Sequence, residues 1–265
     1  MILTQKLLEF AYKGEVFFSR VQGIASGNPK YNGEYRLIKT LKNFIHTAMD
    51  VGANQGDWTA EVIKCTGQRA NIICVEPDPK NANYVRERFR NSSQIQIIEA
   101  AISEKTGLAT FTLGNGDYSG AGYLGKSDEG RGAMEVSVAT LESICKELGL
   151  TYLDMVKADI EGEEIAMLKG GESLFRSQSI GIIQIEYNST WLRTNRRMKE
   201  VFEFAHDYGY SILAATPLGF AEYPVYGEGL EDYMMRNLIL SSKEHLKIVK
   251  PIRAAGRARV ESIRG

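Results

Sequence analysis

Phe44-Ile45-His46-Thr47-Ala48-Met49-Asp50-Val51-Gly52-Ala53-Asn54-Gln55-Gly56-Asp57-Trp58-Thr59 is the stretch that decides the fold. An apolar run of strand length ends at Asp50, a Gly-x-x-x-Gly turn follows at Gly52 and Gly56, and a helical pattern starts at Asp57. Strand, tight turn and helix in this order form the opening unit of a parallel α/β sheet. The glycines let the backbone bend sharply and come close to a ligand, while the free N–H groups of the new helix attract anionic atoms. Alone, the turn points to a small molecule carrying a carboxylate or phosphate.

Outward from this unit, apolar runs alternate with helical patterns. A second strand, Ile72 to Val75, ends at Glu76-Pro77, and Asp78-Pro79 supplies an N-cap and a first-turn proline for a helix reaching about Arg90. The third strand spans Ile95 to Ile102. A hairpin of Ala109 to Leu113 and Glu135 to Val138 then flanks the glycine-rich segment Gly114 to Gly132. A helix from Thr140 to Leu148 leads to strand four, Leu153 to Ala158, which stops at Asp159. Strand five, Ile180 to Ile185, ends at Glu186, and a helix from Arg196 to Tyr208 precedes strand six, Ser211 to Ala215. The loop before the last strand, Met235 to Leu240, is rich in turn formers and shows no helical period. An antiparallel hairpin at the sheet edge is therefore expected in place of a right-handed helical crossover.

Before this core, residues 1–22 have the pattern of an amphipathic helix broken at Gly14, and Glu34 to Asn43 that of a second helix. The expected organisation is a helical extension over 1–43, one α/β domain over 44–242 and a basic, solvated tail over 243–265. The extension is a candidate lid, a candidate oligomer contact or a packed segment with no role in the site.

The chain has 265 residues, 43% apolar and 25% charged, with a net charge of −1. That balance gives no overall field favouring nucleic acid or an anionic membrane. The final 25 positions do carry seven Lys or Arg against Glu244 and Glu261. Cys65, Cys74 and Cys145 are widely spaced and odd in number, which suits reduced thiols rather than a disulfide framework or a zinc site. Charges at Lys6, Glu9, Lys13 and Glu15 break up any signal-peptide core, and no run of eighteen apolar residues occurs, so a cytoplasmic protein without a membrane span is expected.

Ligands of such sheets bind outside the carboxyl ends of the central strands. Four of those ends carry a carboxylate: Asp50, Glu76, Asp159 with Glu161, and Glu186. An acid ending strand two is placed to accept both hydroxyls of a ribose, which makes Glu76 the sugar-binding candidate and a nucleoside the expected guest. His46, inside the first strand, is read as a core residue.

Asp-Val-Gly-Ala-Asn-Gln-Gly at 50–56, Val-Glu-Pro-Asp-Pro at 75–79 and Lys-Ala-Asp-Ile-Glu-Gly-Glu-Glu at 157–164 resemble the FkbM family of S-adenosylmethionine-dependent methyltransferases. Ala-Ile-Ser at 101–103 is part of the same resemblance, which runs from about residue 44 to 240. The first two motifs are shared among class I methyltransferases, and Lys-x-Asp-x-Glu-Gly is more particular to FkbM-like sequences. The resemblance implies a Rossmann-like class I methyltransferase fold, with a seven-stranded, mostly parallel sheet and an antiparallel last strand. It also implies methyl transfer from S-adenosylmethionine, usually to oxygen, with a small-molecule, natural-product or glycan hydroxyl as acceptor.

By the same resemblance Gly52, Ala53, Asn54 and Gly56 wrap the methionine part, and Asp50 fixes the turn or meets the cofactor's amine. Glu76 binds the ribose, Pro77 flanks the adenine, and Ala100, Ala101 and Ile102 line it. Asn54 stands where a dinucleotide fingerprint has its second glycine, which separates the expected guest from NAD. Asp159, Glu161 and Glu186 are the candidates for catalysis. The other roles open to the first two are a bond to the cofactor's amine for Asp159 and capping of Gly162 or the next helix for Glu161. Asp159, Glu186 and Asn188 together could hold Mg²⁺, a less favoured alternative.

Gly114 to Gly132 and Pro217 to Asp232 are expected to cover the acceptor, with Asp117, Tyr118, Ser119, Tyr123, Tyr223, Tyr226 and Tyr233 offering hydroxyls and aromatic faces. Nucleic-acid methylation is a second reading. It is disfavoured by the acidic strand ends and by Asp159-Ile160-Glu161-Gly162 standing where a base-amino methylase carries a Pro-Pro motif. A cofactor-binding module without catalysis is a third.

Overall fold

A computed structural model describes residues 27–114, 122–126 and 132–253. The expected first helix over 1–22, with any oligomer contact it makes, Asp117, Tyr118, Ser119 and the tail beyond 253 lie outside the described residues.

Strand β1 (Thr47–Val51), helix α2 (Asp57–Thr66) and strand β2 (Asn71–Val75) form the opening unit, preceded by α1 (Glu34–Leu41). Helix α3 (Pro79–Arg88) follows, with the Asp78 side chain capping it from the expected position at 2.8 Å from the Lys80 N–H. Next come β3 (Ile95–Ile98), β4 (Ala101–Ile102), β5 (Gly107–Thr112), β6 (Tyr123–Leu124) and β7 (Ala133–Ala139). The second half holds α4 (Leu141–Glu147), β8 (Leu153–Ala158), α5 (Glu164–Lys169), α6 (Glu172–Arg176), β9 (Ile180–Tyr187) and α7 (Met198–Tyr208). It closes with β10 (Ser211–Thr216), β11 (Gly219–Glu222), β12 (Arg236–Ser241), α8 (Lys243–Val249) and β13 (Ile252–Arg253).

The main sheet runs β13-β11-β10-β12-β9-β8-β1-β2-β3. Strands β3, β2, β1, β8 and β9 are parallel, and the apolar runs of β2, β1, β8 and β9 are buried on both faces, as helices on both sides require, while β3 at the edge is half-buried. The seven expected strands are all present, and the last is antiparallel. Its place differs from expectation: β12 lies between β9 and β10 rather than at the edge. The hairpin at the edge is β10 with β11, a strand that the turn-rich sequence around Pro217 conceals.

Strand three is also interrupted. β3 stays in the main sheet, while Ala101 and Ile102 pair with Val138 and Ala139 in a second sheet of order β4-β7-β5-β6. Glu99 and Ala100 make the step between sheets, and this turns Ala100, Ala101 and Ile102 toward the cavity described below.

The expected solvated tail is folded through residue 253. Ser242 caps α8, and His245 is buried against Gly181, where an added Cβ would lie 2.6 Å from the imidazole ring. β13 then extends the sheet by pairing with β11. His46, by contrast, is exposed and precedes β1, so it is not a core residue. Trp58 and Trp191 are buried packing residues. No helix among the described residues is long and apolar enough to cross a membrane.

Candidate functional site

The sheet changes winding direction between β1 and β8, and the loops at the carboxyl ends of these strands part there. A cavity of about 400 Å³ opens at this point. One wall is the turn after β1. Gly52 has φ +75°, and a Cβ built on it would lie 2.1 Å from the carbonyl oxygen of Asp159. No side chain fits there, so the turn lies flush against the end of β8. Gly56, also at positive φ, is packed against the Phe89 ring and does not line the cavity.

Glu76 fixes this wall. One of its carboxylate oxygens accepts the Asn54 N–H at 2.7 Å and the other accepts the Asp78 N–H at 3.0 Å, so a single side chain clamps two turns. Burial pushes its carboxyl up to about 6 against the pull of these bonds. The Asn81 side chain bonds it as well, which leaves the rest of a carboxylate's about four acceptor positions for a hydroxyl in the cavity. Val51, Gly52, Ala53, Asn54, Pro77, Ala100, Ala101 and Ile102 line the same side.

Asp50 is fully buried and does not line the cavity. It accepts the Thr59 hydroxyl at 2.7 Å and lies 3.7 Å from the Lys157 ammonium, its Oδ1 making no hydrogen bond. Its bond to Thr59 ties the end of β1 to α2.

The opposite wall comes from the ends of β8 and β9. Lys157 is buried with its Nζ 3.5 Å from Asp159. Burial works against its charge, but Asp159, Asp50, Glu34 and Glu186 outweigh it and hold its pKa above the ordinary value. After Asp159 the backbone turns through Glu161 at φ +58°, and Glu164 holds the turn by accepting the N–H groups of Ile160 and Gly162 at 3.0 and 2.9 Å. Burial raises the Glu161 carboxyl to about 7, with the Asp159 charge adding to the effect. Glu186 is also raised, by burial first and then by Asp159.

Asp159, Glu161 and Glu186 thus meet at one cavity, as expected, but Asn188 does not join them. Its side-chain oxygen accepts the N–H and hydroxyl of Thr190 at 2.8 and 2.6 Å, and its amide donates to Glu186 at 2.7 Å. The three residues of the less favoured Mg²⁺ alternative are therefore not gathered at the cavity: Asn188 is turned to cap the chain after β9. Among the described residues no His, Cys, Asp and Glu side chains group as metal ligands.

Three working residues were missed from the sequence. Glu164, which closes the 157–164 motif and was given no role at the site, pins the Asp159 loop. Lys157 was quoted in a motif without a role. Glu34, from α1, reaches the cavity from a segment distant in sequence. Of the aromatic residues expected over the acceptor, Tyr123 lines the cavity, and the Arg193 guanidinium lies 4.0 Å from the centre of its ring. Tyr223, Tyr226 and Tyr233 do not line it.

A family model described as Methyltransferase FkbM domain matches residues 50–212. The 2-O-methyltransferase NoeI of Sinorhizobium fredii is 26% identical over 193 residues, covering 67% of this chain and 75% of that protein. Aeropyrum pernix fibrillarin, solved with natively bound S-adenosyl-L-methionine, aligns over 78% of this chain and 76% of its own at 13% identity and a TM-score of 0.42. The precorrin-6y C5,15-methyltransferase of Geobacter metallireducens aligns over 79% and 88% at 12% identity, with a TM-score of 0.44.

Proposed function

The chain belongs to the FkbM methyltransferase family, and on that premise we propose that it methylates a hydroxyl oxygen on a small molecule, natural product or glycan. S-adenosylmethionine is the cofactor of this family and supplies an electrophilic methyl group when bound. The cavity suits it: Glu76 keeps acceptor capacity for a ribose hydroxyl, Ala101, Ile102 and Pro77 offer an apolar slot for the adenine, and the Gly52–Asn54 backbone offers a close wall for the amino-acid end.

The observation that carries the oxygen assignment is the set of half-buried acids on the opposite wall. A hydroxyl is a poor nucleophile until its proton is removed, and a base works best when its pKa lies near the working pH. Glu161, raised to about 7, meets that requirement and faces the cavity. In this reading Glu161 takes the hydroxyl proton and Glu186 orients the acceptor. Asp159, 3.5 Å from Lys157, holds the ammonium in place and does not serve as the base. The 2-O-methyltransferase activity named for the relative supports oxygen as the target.

Incubation with ¹³C-methyl-labelled S-adenosylmethionine and an array of hydroxyl-bearing sugars and natural-product alcohols tests the proposal. An O-methyl product that is lost with Glu161→Gln supports it. Transfer to nitrogen or carbon overturns it.

A further inference from the structure

Glu34 stands outside the matched 50–212 region, yet the backbone brings it to the cavity with little freedom. Gly33 has φ +92°, and a Cβ there would meet the Thr216 backbone nitrogen at 2.5 Å, so the chain is pressed against the end of β10 as α1 begins. The Glu34 N–H donates to the Asn32 side chain at 3.0 Å. The buried carboxylate accepts from Gln184 Nε2 at 3.2 Å, the one side-chain donor found for it among the described residues. Gln184 is the register neighbour of Lys157, and Lys157 that of Asp50. A polar row therefore crosses three buried strands and is covered by Glu34.

Charge around this point is unbalanced. Glu34, Asp159, Glu161, Glu163 and Glu186 all line the cavity, and Lys157 is the only cation among the described residues lining it. Burial raises Glu34 to about 7, the Lys157 charge opposes this, and Asp159 and Asp50 add to it. Acids held in that condition gain from any positive charge entering the cavity. The methyl donor brings one: its sulfur is a sulfonium before transfer and a neutral thioether afterwards.

We propose that Glu34 is a specificity-determining residue of the donor site, one of a ring of acids around Lys157 that holds S-adenosylmethionine more tightly than S-adenosylhomocysteine. The spent donor is then released because its charge has gone. The inference rests on the family's cofactor and not on the identity of the acceptor, so failure of the O-methylation proposal leaves it standing.

Calorimetric titration of the full chain with each compound separately, at about pH 9 where the acids are ionised, tests it. One unpaired charge acting through partly screened protein is expected to give the wild type about a ten-fold preference for the sulfonium compound. Glu34→Gln keeps the size and the bond to Gln184. It should weaken S-adenosylmethionine several-fold and leave S-adenosylhomocysteine unchanged, while Glu34→Asp retains the preference. Raised salt should shrink the gap in the wild type, and that titration decides the matter if the Gln variant fails to fold. Equal wild-type affinities, equal losses for both compounds in the Gln variant, or a preference indifferent to salt would overturn the proposal.

Discussion

On the β1–β2 side of the cavity, Glu76 has each carboxylate oxygen tied to a backbone N–H. On the β8–β9 side, Asp159 and Glu186 act on the Lys157 ammonium, and Glu161 lines the same cavity under the charge of Asp159. The first wall is a finished hydrogen-bonded clamp with spare acceptor positions. The second raises Glu161 and Glu186 above the ordinary carboxylate range, a condition that burial and the Asp159 charge create and that a cationic ligand relieves. In the proposed function, rigid recognition and proton chemistry fall to opposite walls of one site.

Breaking the clamp should have the largest effect. Gly52→Ala forces a Cβ against the Asp159 carbonyl at a left-handed backbone position, at a cost of about 3 kcal/mol or more. Chemical denaturation should show a large loss of stability, and calorimetry the loss of S-adenosylmethionine binding. Glu76→Gln leaves one backbone N–H facing an amide in place of a carboxylate oxygen, which at about 2 kcal/mol corresponds to a roughly 30-fold weaker donor affinity. An unchanged affinity would mean that Glu76 only supports the turns.

Changes on the acid wall should separate chemistry from binding. Glu161→Gln is expected to lower kcat about 100-fold with a small effect on KM for the donor. Because Glu161 is held near 7, the rate should rise with pH through 7 and not level off near 5 as with an ordinary carboxylate. Glu164→Gln, at a residue raised to about 8 by burial, should loosen the Ile160–Gly162 turn and reduce kcat about ten-fold without touching the ligand.

The smallest expected effect is on stability. The folded pKa values of Glu34, Glu161 and Glu164 exceed the unfolded value of 4.5, so their contribution is fully present below pH 4.5 and is lost as pH rises to about 7–8. The ligand-free melting temperature should therefore fall by on the order of 5 °C between pH 5 and 8, and a donor-saturated sample should fall less. Equal slopes would remove the coupling between the acid wall and the sulfonium.

The positions of Gly52 and Glu76 at the cavity were legible in the sequence because they are local, Gly52 following its strand by one residue and Glu76 ending the next strand, but the bonds by which Glu76 clamps two turns were not. Asp159, Glu161 and Glu186 were legible for the same reason. Glu34 and Lys157 were not, since they come together only through the register of β8 with β9 and the packing of α1 over it. The insertion of β12 between β9 and β10 is likewise set by tertiary pairing, which no turn sequence specifies. The sequence left Asn188 open between a metal ligand and a cap for its own chain, and its side-chain oxygen here accepts from Thr190 two residues later.

The division of labour between the walls is tested most directly by measuring donor affinity and turnover together in Glu76→Gln and Glu161→Gln, using an acceptor identified with the ¹³C-methyl array. The account predicts that the first variant loses about 30-fold in affinity while turnover at saturating donor is largely kept, and that the second loses turnover about 100-fold with no more than a several-fold change in affinity. The reverse pattern, or a parallel loss of both in each variant, would contradict it.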